Sequence, residues 1–184
     1  MKLVIVSGPP AVGKTDIARR IARKLGYEFC SKDAIKEGLF DSQSQSTWNY
    51  AWYEKKAKDE FFDKIAQRIT DNKPLIIESN FNSSDKRQLK DYLTESVKVV
   101  EIYCTAKGLT YFIRFVKRNE SGTRHKGHHD RRWYTTVLIE ALFGYIGVRW
   151  PYKSLGISNK LLIVDLTNFS DVNHDTITRF VEKA

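Results

Sequence analysis

Residues Gly8-Pro9-Pro10-Ala11-Val12-Gly13-Lys14-Thr15 satisfy the pattern Gly-x-x-x-x-Gly-Lys-Ser/Thr in full. An apolar run, residues 3–6, precedes them, and a helix-like stretch, residues 15–25, follows. Each position has a physical reason. Gly8 and Gly13 permit backbone conformations that other residues resist, so successive N–H groups can converge on an anion. The N-terminus of the following helix adds its dipole and its free donors. The Lys14 ammonium is placed to bridge β- and γ-phosphates, and the Thr15 hydroxyl to ligate Mg²⁺. All eight residues are candidate nucleotide ligands, Lys14 is also a candidate catalytic group, and Thr15 is the candidate metal ligand.

Such a loop demands a strand before it and a helix after it, and the rest of the chain continues that alternation. Strand-like runs fall at 3–6, 27–30, 75–77, 97–104 and 161–166. Helical patterns fall at 15–25, 33–40, 47–70, 84–94, 109–118, 132–145 and 171–183. Strands separated by helices predict a parallel sheet with right-handed crossovers and helices on both faces. The expectation is a three-layer α/β/α P-loop fold with a five-stranded parallel sheet. With 184 residues the chain is expected to form a single domain, 1–184. No apolar run approaches the roughly 18–20 residues of a membrane span, and the first run is too short for a signal peptide. Cys30 and Cys104 lie far apart without metal-binding spacing and read as buried thiols at strand ends. A cytoplasmic location is expected.

P-loops serve several reaction classes, so further residues must decide among them. The Asn-Lys pairs at 72–73 and 159–160 lack the Asp of a guanine-reading box and precede strands. The run Leu75-Ile76-Ile77-Glu78 ends in a single acid, unlike the paired acids of motor ATPases. A small kinase fits best. The second strand runs into Ser31-Lys32-Asp33, and in such sheets strand C-termini face the ligand crevice. Asp33 is therefore placed to accept a proton from an attacking hydroxyl, although an Asp here also suits the cap of the helix beginning at Ala34. Residues 114–132 form a basic segment with Arg118 and Arg124 six apart, suited to a lid whose arginines meet the charge of a transferring phosphoryl group. His125, His128 and His129 lie in that segment, where the strong positive charge opposes a bound cation.

The ordered set formed by the P-loop, Ser31-Lys32-Asp33-Ala34-Ile35-Lys36-Glu37, Glu78-Ser79-Asn80-Phe81, and Arg118 followed by Arg124-His125-x-Gly127-His128 resembles the AAA-33 family of small ATP-binding proteins. These are similar to 5'-hydroxyl polynucleotide kinases, zeta toxins and chloramphenicol phosphotransferase. The resemblance spans most of the chain. It implies ATP, with GTP as the alternative donor, and Mg²⁺. It also implies an aspartate base at Asp33 and phosphate-contacting arginines at Arg118 and Arg124.

Between Arg23 and Arg68 there is no arginine, although this interval holds the acceptor side and Asp33. A carboxylate there repels a phosphate and suits an alcohol, so a hydroxyl acceptor is expected: a small-molecule alcohol, nucleoside or sugar. Lys32, Lys36, Lys55 and Lys56 remain as alternative sources of charge for a nucleoside monophosphate. The aromatics Trp48, Tyr50, Trp52 and Tyr53 offer stacking surfaces or core. Lys32, Glu78, Asn80, Trp48 and Trp52 are the candidate acceptor-side residues. The formal net charge is +9, and residues 98–153 carry eleven basic and four acidic side chains. That field keeps two nucleic-acid readings open: a 5'-hydroxyl polynucleotide kinase, and a nucleic-acid-binding ATPase without transfer.

Overall fold

A computed structural model describes residues 1–42, 49–122, 124–128, 134–145 and 154–184. Five parallel strands form one sheet in the order β2-β3-β1-β4-β5. They are β1 (Lys2–Ser7), β2 (Glu28–Ser31), β3 (Leu75–Glu78), β4 (Lys98–Thr105) and β5 (Lys160–Asp165). The helices are α1 (Lys14–Leu25), α2 (Lys32–Ser42), α3 (Tyr50–Thr70), α4 (Ser83–Tyr92), α5 (Gly108–Glu120), α6 (Tyr134–Tyr145) and α7 (His174–Glu182). The alternation in the sequence thus yields the expected α/β fold.

The central strand, β1, is apolar and fully buried from Leu3 to Val6 because both faces of a parallel sheet are covered. Its side chains alternate. Val4 and Val6 join Ile17 and Ile21 of α1, Phe115 of α5 and Val181 of α7. Leu3 and Ile5 join Phe61, Phe62 and Ile65 of α3 and Leu89 of α4 on the other face. Phe61, Phe62 and Ile65 are each at most 1% exposed, and burying such a side chain stabilises by about 1.5–3 kcal/mol. A carboxylate lies within this buried layer. Glu101 of β4, fully buried, accepts hydrogen bonds from Ser7 Oγ at 2.8 Å and Leu155 N at 2.7 Å. These bonds compensate its desolvation and tie the segment before β5 to the strand that delivers the P-loop.

β1 pairs with β3 on one side and β4 on the other. The connection after β1 runs through α1 to β2 on one side, whereas that after β3 crosses β1 to reach β4 on the other, and a crevice opens beyond the C-terminal end of β1. Several boundaries differ from the sequence expectation. Helix α2 begins at Lys32, so Asp33 lies within its first turn and does not cap a helix starting at Ala34. The C-terminal end of α5 reaches Glu120, so residues 114–120 of the expected lid are helical. Helix α3 begins at Tyr50, and Trp48 lies outside the described residues. Among the described residues no helix is long and apolar enough to cross a membrane.

Candidate active site

The loop between β1 and α1 has the backbone its glycines predict. Gly8 has φ of 139° and Gly13 of 116°, and Ala11 also sits at positive φ, 57°. Three residues in this region of φ within one short loop form a concave run of N–H groups. Gly13 caps α1 without any side-chain bond, so the first-turn donors of that helix are left for a ligand. Space also selects glycine. A Cβ on Gly8 would stand 2.1 Å from the Cys104 carbonyl oxygen, and one on Gly13 would stand 2.6 Å from the Phe169 ring.

Lys14 projects back across the loop. Its Nζ donates to the Pro9 carbonyl at 2.8 Å and to Asn80 Oδ1 at 2.6 Å, and Glu78 Oε1 lies 3.9 Å away. Burial lowers its pKa, with Glu78 opposing the shift. The side chain therefore holds a poorly hydrated ammonium beside the anion nest. Glu78, at the C-terminal end of β3, is buried and accepts from Ser31 Oγ at 2.9 Å and Thr15 Oγ1 at 3.3 Å. Burial raises its pKa, and the Lys14 charge only partly counters this. A buried carboxylate paired with a threonine hydroxyl at a phosphate nest is an all-oxygen donor set, the kind Mg²⁺ takes.

These groups border a cavity of about 550 Å³, within the range of small-ligand sites. Asp33 faces it from α2. Burial pushes the pKa of this carboxyl up, but His128, Lys36, Arg124 and Lys14 together hold it below its ordinary value. Asp33 is thus ionised, and Arg124 lies 3.6 Å from it. Lys32 and Lys36 flank it one turn apart, and both pair with Glu54 of α3, at 3.2 and 3.0 Å. Tyr50, one turn before Glu54, lies under the Lys36 ammonium at 5.1 Å. At the other end of the cavity Arg114 donates to the Leu166 and Thr167 carbonyls and lies 4.0 Å from the centre of the Phe169 ring.

Most of the residues singled out in the sequence converge here. Pro10, Ala11, Gly13, Lys14, Thr15, Lys32 and Asp33 line the cavity, as do Glu78, Asn80, Arg118 and Arg124. Of the two candidate tryptophans, Trp48 lies outside the described residues and Trp52 does not line the cavity. Trp52 is 44% exposed and packs edge-on against Tyr53, away from the cavity, because its turn of α3 points outward. Tyr53 is core, Lys55 is exposed, and Lys56 is paired with Glu60 along α3. Among the described residues Tyr50 alone of that aromatic group lines the cavity. Glu54, Arg114 and Phe169 were missed. A signal existed for Glu54, because buried lysines four apart on a helix need an anion from a neighbouring element; Phe169 has no sequence signature. Cys30 and Cys104 are buried thiols, with pKa values pushed up by desolvation to about 11 and about 12.

Residues 3–135 match the AAA_33 family, an AAA domain, and the chain belongs to that family. It is a P-loop kinase. Cytidylate kinases from strains of Saccharolobus islandicus are 33% identical to it over 97% of this chain and 88% of theirs. The solved structure of a proposed kinase from Chloroflexus aurantiacus is 29% identical, covers 99% of this chain and 97% of its own, and superposes with a TM-score of 0.84. A sugar kinase from Janibacter sp. shares the fold at 15% identity, with a TM-score of 0.59 over 100% of this chain and 93% of its own.

Proposed function

We propose that the chain transfers the γ-phosphoryl group of ATP to a hydroxyl group of an uncharged small molecule, a nucleoside or a sugar. The P-loop amides and Lys14 hold the β- and γ-phosphates, and Arg118 and Arg124 meet the equatorial oxygens as charge spreads over them. Thr15 and Glu78 would hold Mg²⁺, which would supply positive charge to offset that of the phosphates. Asp33 accepts the proton of the acceptor hydroxyl as its oxygen bonds to the γ-phosphorus. The bond from that phosphorus to the bridging oxygen breaks, and its electron pair leaves on ADP.

The observation that carries the choice of acceptor is the pairing of the cations around Asp33. Lys32 and Lys36 are both committed to Glu54, and Arg124 lies beside Asp33 and Glu37. A phosphate dianion entering here would meet Asp33 and Glu54 along with these cations, whereas an alcohol meets a ready base. A nucleoside monophosphate acceptor is the second reading. It is favoured by the full-length similarity to cytidylate kinases and by the two lysines of α2, should they exchange Glu54 for a phosphate. Incubation with γ-labelled ATP and a panel holding cytidine, other nucleosides, sugars, 5'-hydroxyl oligonucleotides and CMP separates the readings. Label on a nucleoside or sugar hydroxyl supports the first, and label on the 5'-hydroxyl oligonucleotide alone overturns it. Formation of CDP from CMP, with no labelled alcohol, overturns it in favour of the second.

A further inference from the structure

Helix α2 carries Asp33, Glu37 and Asp41 four residues apart, so the three carboxylates share one face. The turn formed by residues 124–128 lies along that face. Arg124 reaches Asp33 Oδ2 at 3.6 Å and Glu37 Oε1 at 3.8 Å. His128 Nε2 donates to Glu37 Oε1 at 2.8 Å, and its side chain is only 1% exposed. His125 Nε2 stands 3.0 Å from Asp41 Oδ1. The Gly127 N–H donates to His125 Nδ1 at 3.1 Å, so that nitrogen bears a lone pair and the ring hydrogen sits on Nε2, facing Asp41. The His128 N–H closes the turn on the His125 carbonyl at 3.1 Å. The His125 ring meets Phe40 edge-on, and Gly127 passes so close that a Cβ would lie 3.2 Å from Phe40. Four charged or polar contacts and one close backbone approach match one helix face. The turn is built for α2.

We infer that Glu37 is a positioning residue for phosphoryl transfer: by receiving both Arg124 and His128 it locks the turn onto α2 and holds the Arg124 guanidinium beside Asp33. The inference rests on the reading of Arg124 as a ligand of the transferring phosphoryl group. A free arginine side chain loses rotamer entropy when a phosphate captures it. Here that ordering is done before the substrate arrives, and a preorganised cation acts without reorganisation during the reaction. Glu37 itself touches no reacting atom. Its effect runs through Arg124, while the His128 bond keeps the carboxylate from rotating away.

The test uses the full chain and the hydrolysis of MgATP, with water as the acceptor, for wild type, Glu37→Gln, Glu37→Asp, Glu37→Ala, Arg124→Ala and the Glu37→Ala/Arg124→Ala double variant. Gln keeps an oxygen for His128 but loses the charge that restrains Arg124, so kcat should fall about 10-fold, and about 100-fold for Ala, with KM for ATP changed less than about 3-fold. Asp should restore part of the loss. In the Arg124→Ala background, removal of Glu37 should cost less than about 3-fold more, because the group it positions is already gone. Amide exchange at residues 127 and 128 should rise in Glu37→Ala. Equal multiplicative losses in both backgrounds, or unchanged kcat in Glu37→Ala with those amides released, overturn the inference while leaving Arg124 as a phosphate ligand. Unchanged kcat in Arg124→Ala would instead overturn the underlying reading and the inference with it.

Discussion

Lys14 Nζ and Asn80 Oδ1 lie 2.6 Å apart, which draws the P-loop ammonium toward the end of β3. Burial lowers the pKa of this lysine, because little water remains to solvate its charge. Its attraction to an incoming polyphosphate is correspondingly less screened. Lys14→Ala should therefore weaken MgATP binding and lower transfer, together about 100-fold or more in kcat/KM, with the fold retained. Nucleotide titration by calorimetry alongside a circular dichroism spectrum checks both halves. Undiminished affinity in a folded variant removes Lys14 from the site.

Asp33 presents its carboxylate among Lys36, Arg124, Lys14 and His128, and its folded pKa is held below the ordinary 3.8 despite burial. The sign follows directly. A depressed carboxyl pKa gives a stabilisation that is fully present above 3.8 and lost as pH falls through the lower folded value. Asp33 therefore remains a base throughout the neutral range, and protonation of this group should put no acid limb in the kcat/KM profile between about pH 5 and 8. Asp33→Asn should keep MgATP binding within a few-fold and lower transfer by about 10²–10⁴. Turnover equal to wild type, measured with the same acceptor, excludes the aspartate from proton transfer.

Glu54 holds two ammonium groups, those of Lys32 and Lys36, on the acceptor wall. For Lys36, burial favours the neutral form, yet Glu54, Asp33 and Tyr50 together raise its pKa, so it stays charged. Replacing Glu54 by Gln leaves two buried or half-buried cations sharing a neutral partner. With an alcohol acceptor, Glu54→Gln should raise the acceptor KM about 10-fold and leave the KM for ATP within about 2-fold. The same variant should improve binding of CMP, since it frees two lysines for a phosphate. Steady-state kinetics with each acceptor reads the difference, and weaker CMP binding in the variant contradicts this account of acceptor choice.

Much of this was legible in the residues. The five strands and the phosphate loop follow from local rules: apolar runs of strand length, glycines where φ must be positive, and a lysine-threonine pair at a helix start. Asp33 could be placed because strand ends in a parallel sheet face one crevice. What was not legible depends on contacts across long separations. Whether Trp52 or Tyr50 faces the cavity is a matter of where α3 begins and how it rotates against α2, and both side chains suit either face. The Asp33–Glu37–Asp41 row is visible as a spacing, but nothing in the spacing names a turn almost ninety residues later as its partner. The Arg114–Phe169 contact joins α5 to the turn after β5 and carries no local pattern at all.

Gly8 offers the sharpest test of the loop itself, because its requirement comes from two independent sources. Its φ of 139° lies where side-chain-bearing residues are strained, and a Cβ would sit 2.1 Å from the Cys104 carbonyl oxygen, well inside contact distance. That oxygen belongs to β4, which pairs with β1 from residue 2 to residue 7, so it cannot retreat without disturbing the sheet. Either the loop moves or the strands do. Gly8→Ala should thus cost about 2–4 kcal/mol of stability, combining backbone strain with overpacking. Because the loop gives way more easily than the sheet, nucleotide affinity should drop further than the stability loss alone explains. Gly122 makes the control: its φ is also positive, at 69°, yet a Cβ there meets no atom within 4 Å. Gly122→Ala should cost only about 1 kcal/mol, the strain without the clash. Denaturant unfolding of both variants, read beside their MgATP affinities, checks the argument, and equal losses at the two positions would show that the Cys104 contact does not constrain the loop.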